Sequence, residues 1–135
     1  MTLEEMQNLL DEDVKIDSGK LQYEAGNNPV VYGRWLRIYA DVKKNIVALE
    51  AKKKTAMRDR LNYHTGRSDD FSPFQYDKSE LKVVIAADES VLTIDTKIAY
   101  LNLMLDFSSK ALDIIKARGF AIKNMIELRS LEAGR

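Results

Sequence analysis

The sequence contains no cysteine among its 135 residues, which excludes disulfide bonds and thiolate metal sites. Its single histidine, His64, has no partner at metal-ligand spacing and is predicted to be a solvent-exposed loop residue. The phosphate-binding pattern G-x-x-x-x-G-K-[ST] is also absent. We therefore predict no cofactor, no metal and no enzymatic activity. A nuclease and ATPase screen would test the rival possibility, an enzyme of unrecognised type.

Long hydrophobic runs are missing as well. No stretch approaches the roughly 20 apolar residues that a membrane helix requires. The N-terminus, MTLEEMQNLL, is acidic and lacks the apolar segment of a signal peptide. With 45% hydrophobic residues, the chain can bury one core of ordinary size. These features predict a cytoplasmic protein that does not contact membranes.

The chain has no net charge, because 21 basic side chains balance 21 acidic ones, but the charges are segregated. Residues 1–30 carry two basic and seven acidic side chains, and residues 68–135 carry nine and eleven. Residues 31–67 carry ten basic and three acidic side chains, a net charge of +7. A polyanion would find one attractive zone here. The alternative is a charged surface that only faces water.

Two short helices are predicted at the N-terminus. Thr2 and Glu5 form a T-x-x-E capping box before apolar residues spaced three and four apart. A second short helix is expected to begin at a cap provided by Asp17 or Ser18. It is expected to stop at Gly26–Asn28.

A long basic helix is predicted next, with Asn28 as its cap and Pro29 at its first position. It should run to about Tyr63, because apolar residues recur every three or four positions along one face. Those residues are Trp35, Tyr39, Val42, Ile46 and Leu49. Residues 64–80 break the period and are predicted to form a loop.

After the loop, residues 81–87 are short and apolar, and we interpret them as a helical turn rather than a strand. A long C-terminal helix is predicted to begin after Asp88, with interruptions of its apolar pattern at Ser108 and Gly119. Its main stripe is predicted to drive self-assembly and comprises Ile98, Leu101, Leu105, Leu112, Ile115, Ile122 and Ile126. A second stripe, through Tyr100, Met104, Phe107, Ala111 and Ile114, runs alongside. Two stripes exceed what so short a chain can cover, so a second subunit is expected.

The decapeptide AKKKTAMRDR, residues 51–60, places five basic side chains where the apolar stripe of the long helix continues. Lys53 and Arg60 follow Ile46 at steps of seven residues, and each step drifts by only about 20°. The core-facing side of the helix therefore becomes cationic in its last two turns. Such a patch suits a nucleic-acid backbone, which attracts basic side chains without base-specific geometry. The candidate DNA-binding residues are Lys43, Lys44, Lys52, Lys53, Lys54, Arg58, Arg60 and Arg67.

Aromatic residues near the basic patch offer stacking faces of the kind that bind single strands. Trp35 and Tyr39 lie on the apolar stripe and are interpreted as core. Tyr63 and the loop aromatics are open to two interpretations, stacking on a strand or covering the core. The loop aromatics are Phe71, Phe74 and Tyr76.

Three blocks of the sequence resemble a known family: DSGKLQYEAGNN, KSELKVVIAADESVLTIDT and LDFSSKALDIIKARGFAIKN. They are similar to blocks of the UvsY family of recombination mediators from T4-type phages. The similarity extends with small interruptions from about Leu3 to Arg135. The family's basic signature, of the type L-K-A-R-L, stands here as MRDRL. Arg58 and Arg60 match its two basic positions, and Asp59 departs from the pattern.

The resemblance implies an all-α protein of the host cytoplasm that binds single-stranded DNA. It further implies that the protein helps to load a RecA-like recombinase, UvsX, onto strands occupied by the phage single-strand-binding protein. The implied organisation is a DNA-binding N-terminal region, residues 1–80, and a C-terminal helical oligomerisation region, residues 81–135. Family members are described as hexameric or heptameric rings or open barrels.

A rival function is a coiled-coil scaffold that joins phage replication and recombination proteins without touching DNA. In that case the lysines are only a solvated face. A salt titration of single-stranded-DNA binding separates the two hypotheses. The mediator is expected to bind DNA with an affinity that falls as salt rises, whereas the scaffold is expected not to bind DNA.

Overall fold

The computed structural model of the chain describes residues 1–70 and 72–134. Within those residues all regular structure is helical, which confirms the predicted all-α class. The four α-helices are α1 (Leu3–Asp13), α2 (Leu21–His64), α3 (Lys78–Ala86) and α4 (Glu89–Ala133), and a 3-10 turn covers Ser18–Lys20. None of the described helices is both long and apolar enough to cross a membrane.

The chain forms two compact units. One, which we call the terminal unit, combines Met1–Val42 with the chain from Leu103 onward. The other, the central unit, is Lys43–Asn102. Each unit therefore contains part of α2 and part of α4. The predicted division into residues 1–80 and 81–135 concerns activity, and it stays a prediction.

The helix starts follow local sequence closely. The capping box at Thr2 and Glu5 is present, and Asp17 caps the 3-10 turn by accepting a bond from the Gly19 N–H. The predicted helical turn after the loop is confirmed, but it begins at Lys78. Asp77 and the glutamate three residues after it form a second capping box there. The loop therefore spans residues 65–77.

Pro29 does not begin a helix, because α2 passes through it without a break. The predicted helix stop before Pro29 is therefore wrong, although an internal proline costs a hydrogen bond and crowds the preceding turn. Asn28 does not act as a cap either. Its side chain donates to the Ile115 carbonyl at 2.9 Å and accepts from Arg118 Nη1 at 2.8 Å. These bonds to α4 stabilise the segment as a helix, and local propensity does not register them.

The core of the terminal unit encloses Trp35, Met6, Ile115, Ile122 and Ser108 completely. Trp35 is core, as predicted, and its indole N–H donates to Asp13 Oδ2 at 2.9 Å. Its ring also contacts a second aromatic ring, that of Phe107, with centroids 6.2 Å apart. The core of the central unit is smaller, and its buried apolar residues, among those described, are Ile46, Ile85 and Val91.

Small residues let α4 approach its neighbours in the terminal unit. The helix continues through both Ser108 and Gly119, where the apolar pattern is interrupted. At Gly119 a Cβ would lie 2.8 Å from Asn28 Nδ2, closer than a side chain tolerates. The missing side chain at this position therefore makes room for the Asn28 amide.

Candidate nucleic-acid interface

The basic segment, which we define as residues 43–67, occupies the second half of α2 and its C-terminal cap. The helix ends at His64, one residue beyond the predicted Tyr63. Gly66 adopts the left-handed conformation, with φ of 75°, that a non-glycine residue rarely adopts. The Arg67 N–H then donates to the Asn62 carbonyl at 2.8 Å, the bond that closes a Schellman motif. This cap determines where the chain leaves the helix, and it places Arg67 directly after the last helical turn.

Two of the candidate cations, which we call the inner cations, are neutralised within the central unit. Lys53 Nζ lies 2.7 Å from Asp95 Oδ1. Arg60 Nε lies 2.6 Å from Asp88 Oδ2, although the direction of the N–H does not meet hydrogen-bond geometry. Both basic side chains are about one third exposed, at 35% and 32%. The seven-residue spacing predicted that both lie on the core-facing side of the helix. The structure explains this position by two acidic partners, the cap residue Asp88 just before α4 and Asp95 within it.

Asp88 is positioned by the start of α4. Its Oδ1 accepts from the Ser90 N–H at 3.0 Å and from Ser90 Oγ at 2.6 Å, so it caps the helix. Partial burial raises the pKa of Asp88, but the Ser90 hydrogen bonds and the Arg60 guanidinium lower it by more. The net result is a pKa below the ordinary value. Asp88 therefore stays charged and holds Arg60 in place.

The other candidates, which we call the outer cations, face solvent. Lys44, Lys52, Lys54 and Arg67 are exposed, and none of their side chains has an ion-pair partner among the described residues. Lys43 is also exposed. Arg58 contacts only its neighbour Asp59, at 3.4 Å, with both side chains more than 60% exposed. Such a pair contributes little energy, so Arg58 remains available to an anion.

His64 was predicted to be a solvent-exposed loop residue, and its observed position is different. It is the last residue of α2 and is half-buried. Both of its ring nitrogens are buried without a hydrogen-bond partner in the described part of the chain. Its ring meets Tyr63 and Tyr76 edge-on, with centroids 5.0 Å and 5.6 Å away. The prediction was wrong because the loop after α2 folds back over the helix end, where the Ser72 N–H donates to the Tyr63 carbonyl at 3.0 Å.

A cleft of about 590 Å³ opens where the loop folds back over the end of α2. Apart from the aromatic residues of the loop, no sequence signal predicts this cleft. Phe74 lines the cleft with 66% of its surface exposed, and Tyr76 is half-buried. Phe71, the third predicted stacking residue of the loop, lies outside the described residues.

The predicted oligomerisation residues fall into two groups by burial. Ile115 and Ile122 are completely enclosed by the chain's own terminal unit. The others are half-buried: Ile98, Leu101, Leu105, Leu112 and Ile126. The most exposed apolar side chains of α4 in the terminal unit lie elsewhere, at Leu103, Phe120, Leu128 and Leu131, each between 57% and 60% exposed. The assembly role of the predicted set stays a prediction.

Comparison with known proteins gives a consistent set of matches. The family model described as "Recombination, repair and ssDNA binding protein UvsY" matches residues 9–135. The recombination protein uvsY of Enterobacteria phage T4 is 50% identical over 137 residues, which cover 100% of both chains. Two crystal structures of the bacteriophage T4 recombination mediator protein UvsY also match. Lattice type II has a TM-score of 0.89 at 50% identity, covering 98% of both chains. Lattice type IV has a TM-score of 0.90 at 47% identity, covering 97% of this chain and 99% of the other.

Proposed function

Because the chain belongs to the UvsY family of recombination, repair and single-stranded-DNA-binding proteins, we propose that it binds single-stranded DNA through the basic segment of α2. We further propose that it promotes the loading of a RecA-like recombinase, UvsX, onto strands covered by the phage single-strand-binding protein. The observation that carries the proposal is that Lys44, Lys52, Lys54 and Arg58 are exposed on one helix segment, and that their only ion pair among the described residues is the exposed contact of Arg58 with Asp59.

The physics of the proposed binding is electrostatic. Each basic side chain that neutralises a phosphate releases condensed counterions, so binding is favourable at low salt and weakens as salt rises. Lys54 and Arg58 stand four residues apart on the helix, where like charges repel by a few tenths of a kcal/mol. A phosphate between or beside them relieves that repulsion. The outer cations therefore gain from an anion in a way that the paired inner cations do not.

Assembly multiplies these weak contacts. Once one subunit holds a strand, its neighbours meet the same strand at a high effective concentration, so overall affinity exceeds that of a single subunit. Exposed apolar residues on α4 supply a surface for a second copy. Leu103, Ile114 and Leu128 are 60%, 44% and 57% exposed, and steps of 11 and 14 residues keep them on nearly one helix face. A hexameric or heptameric ring or open barrel is the assembly that we propose.

The proposed transfer of the strand to the recombinase follows from the same weak binding. A strand held at many points on its backbone is bent or unstacked enough to compete with the resident single-strand-binding protein. Its bases remain accessible to the recombinase, because phosphate contacts carry no base specificity. No step of this mechanism needs ATP hydrolysis by this chain.

A salt titration of single-strand binding tests the proposal. We expect log affinity to fall linearly with log salt for the full-length protein, with a slope near −0.7 for each phosphate contacted. The double variant Lys54→Ala/Arg58→Ala, which removes two outer cations, should have a shallower slope. The matched control Lys116→Ala/Lys123→Ala removes two exposed lysines of α4 in the terminal unit, and its slope should equal that of the wild type. A protein that does not bind the oligonucleotide would instead support the scaffold hypothesis.

The loading step requires a separate measurement. ATP hydrolysis by the recombinase on strands covered by single-strand-binding protein reports how many recombinase molecules have loaded. We expect addition of this protein to raise that hydrolysis, and we expect the Lys54→Ala/Arg58→Ala variant to raise it less. An increase that is equal for both proteins would disconnect loading from DNA binding.

A further inference from the structure

The cleft at the end of α2 has a composition that suits an aromatic ligand with a polar edge. It lies between the C-terminal turn of the helix, residues 64–66, and the returning loop, residues 72–76. Phe74 presents an exposed ring face, and the rings of His64 and Tyr76 form part of the wall. Its volume of about 590 Å³ lies within the range of small-molecule sites.

The cleft is continuous with the basic segment. The Arg60 guanidinium lies over the Tyr63 ring, 4.3 Å from its centroid. Tyr63 meets His64, and His64 meets Tyr76, both in edge-on contacts. A row of ring contacts therefore leads from Arg60, one of the inner cations, to the wall of the cleft. Arg67, whose side chain is exposed and has no ion-pair partner in the described part of the chain, directly follows the Gly66 that lines the cleft.

The exposed aromatic surface of the wall favours a nucleobase over an aliphatic side chain. The Phe74 side chain is 66% exposed at the cleft, and a nucleobase has two flat faces that can stack on such a ring. The ring nitrogens of His64 are buried, so the imidazole contributes to the wall as a ring and not as a hydrogen-bonding group. An aliphatic ligand would fill the space but would not stack.

We infer that this cleft binds one unstacked nucleobase of the strand whose phosphates are held by the outer cations. The inference rests on the proposed single-strand binding and adds a second, non-ionic component to it. Phe74 is the stacking platform, since base–aromatic stacking tolerates any base and acts on single strands. Arg67 stands beside the cleft, where it neutralises a phosphate next to the inserted base.

The ionic and the stacking components of the affinity can be separated by varying the salt concentration. Phosphate contacts determine how steeply log affinity falls with log salt, whereas stacking contributes an offset that salt does not remove. The experiment compares an oligodeoxythymidylate with an abasic oligonucleotide of equal length, each titrated with full-length protein over a range of salt. The abasic strand keeps the phosphates and lacks the bases. Removal of a stacking side chain should therefore affect only the strand that carries bases.

The variants are Phe74→Ala, Phe74→Trp and the control Val83→Ala, which removes an equally exposed apolar side chain of α3, 68% exposed, away from the cleft. We expect Phe74→Ala to weaken thymidylate binding about 5- to 100-fold at every salt concentration without changing the slope. Binding of the abasic strand should not change. Phe74→Trp should restore the affinity, because it keeps a ring face, and Val83→Ala should match the wild type.

The inference is overturned if the wild type shows the steep salt slope but Phe74→Ala binds thymidylate as tightly as the wild type does. It is equally overturned if Phe74→Ala weakens both oligonucleotides alike, since the loss would then not involve a base. In both cases the proposed function stands. If the wild type binds neither strand, or binds both independently of salt, the proposed function falls and this inference falls with it.

Discussion

The two units of the molecule use arginine in opposite ways. In the terminal unit Arg118 is only 6% exposed and donates to Asn28 Oδ1, the Lys15 carbonyl and Glu24 Oε2 at 2.6–2.8 Å. In the central unit Arg58 is 67% exposed in its side chain and contacts only the adjacent aspartate. One guanidinium is part of the fold, and the other is available at the surface.

This difference separates the charges that stabilise the fold from the charges that stay exposed. A buried charge is tolerated only when hydrogen bonds replace water around it, so the Arg118 cluster connects α2 and α4 within the terminal unit. An exposed charge contributes almost nothing to stability, so the basic segment can carry unpaired cations at little cost. Under the proposed function, the central unit, which has few fully buried side chains among those described, is the part that binds single-stranded DNA.

The largest expected effect comes from breaking the buried cluster. Arg118→Ala leaves Glu24 buried without its partner, and loss of one member of a buried ion pair costs about 3–5 kcal/mol of unfolding free energy. Urea denaturation followed by circular dichroism measures this loss. The control Lys116→Ala, an exposed lysine two residues away, should change the unfolding free energy by less than about 0.5 kcal/mol. Equal stabilities of the two variants would contradict the comparison.

A smaller effect is expected from the close approach of the helices in the terminal unit. Gly119→Ala places a Cβ 2.8 Å from Asn28 Nδ2, and Asn28 cannot move without breaking its bonds to Ile115 and Arg118. We expect a loss of about 1–3 kcal/mol. The matched control is Gly33→Ala in α2, where nothing lies within 4 Å of the new Cβ. That change should stabilise the protein by about 0.5–1 kcal/mol through helix propensity alone. Thermal unfolding of both variants would show shifts of opposite sign, and shifts of the same sign would refute the packing argument.

The smallest effect concerns Asp88 of the central unit and depends on pH. Because its folded pKa is lowered, its charge stabilises the fold fully above the unfolded pKa of about 4 and loses that effect as the pH falls through the folded pKa. Asp88→Asn keeps an oxygen to cap α4 and removes the charge. At neutral pH it should be less stable than the wild type by less than about 1 kcal/mol. Denaturation at acidic pH should show the two proteins converging, and a constant difference would show that the charge is not responsible.

Local sequence signals predicted the elements whose causes are local. The capping box at Thr2, the cap at Asp17 and the start of α4 after Asp88 were all predicted, because each depends on residues within one helical turn. The apolar period also predicted that Trp35 is buried. The helix through Pro29 could not be predicted in this way, since the bonds that support it come from α4, about 90 residues later.

The candidate site also combines features that the local sequence predicts with features that depend on the folded chain. The segregation of charge in the sequence identified residues 31–67 as the cationic part of the chain. It could not separate the inner cations from the outer ones, because Asp88 and Asp95 become neighbours of Arg60 and Lys53 only through folding. The position of His64 was missed for a similar reason, since Tyr76 reaches it from the far end of the loop.

The slope of log affinity against log salt for a single-stranded oligonucleotide tests the central claim most directly, when it is measured on two variants side by side. One variant, Lys52→Ala/Lys54→Ala/Arg58→Ala, removes three outer cations. The other, Lys53→Ala/Asp95→Ala, removes a complete internal ion pair and leaves the net charge unchanged. The account predicts that the first variant loses about 2 units of slope, at about 0.7 per contact, and that the second keeps the wild-type slope. A wild-type slope in the first variant, or an equal loss in both, would contradict it.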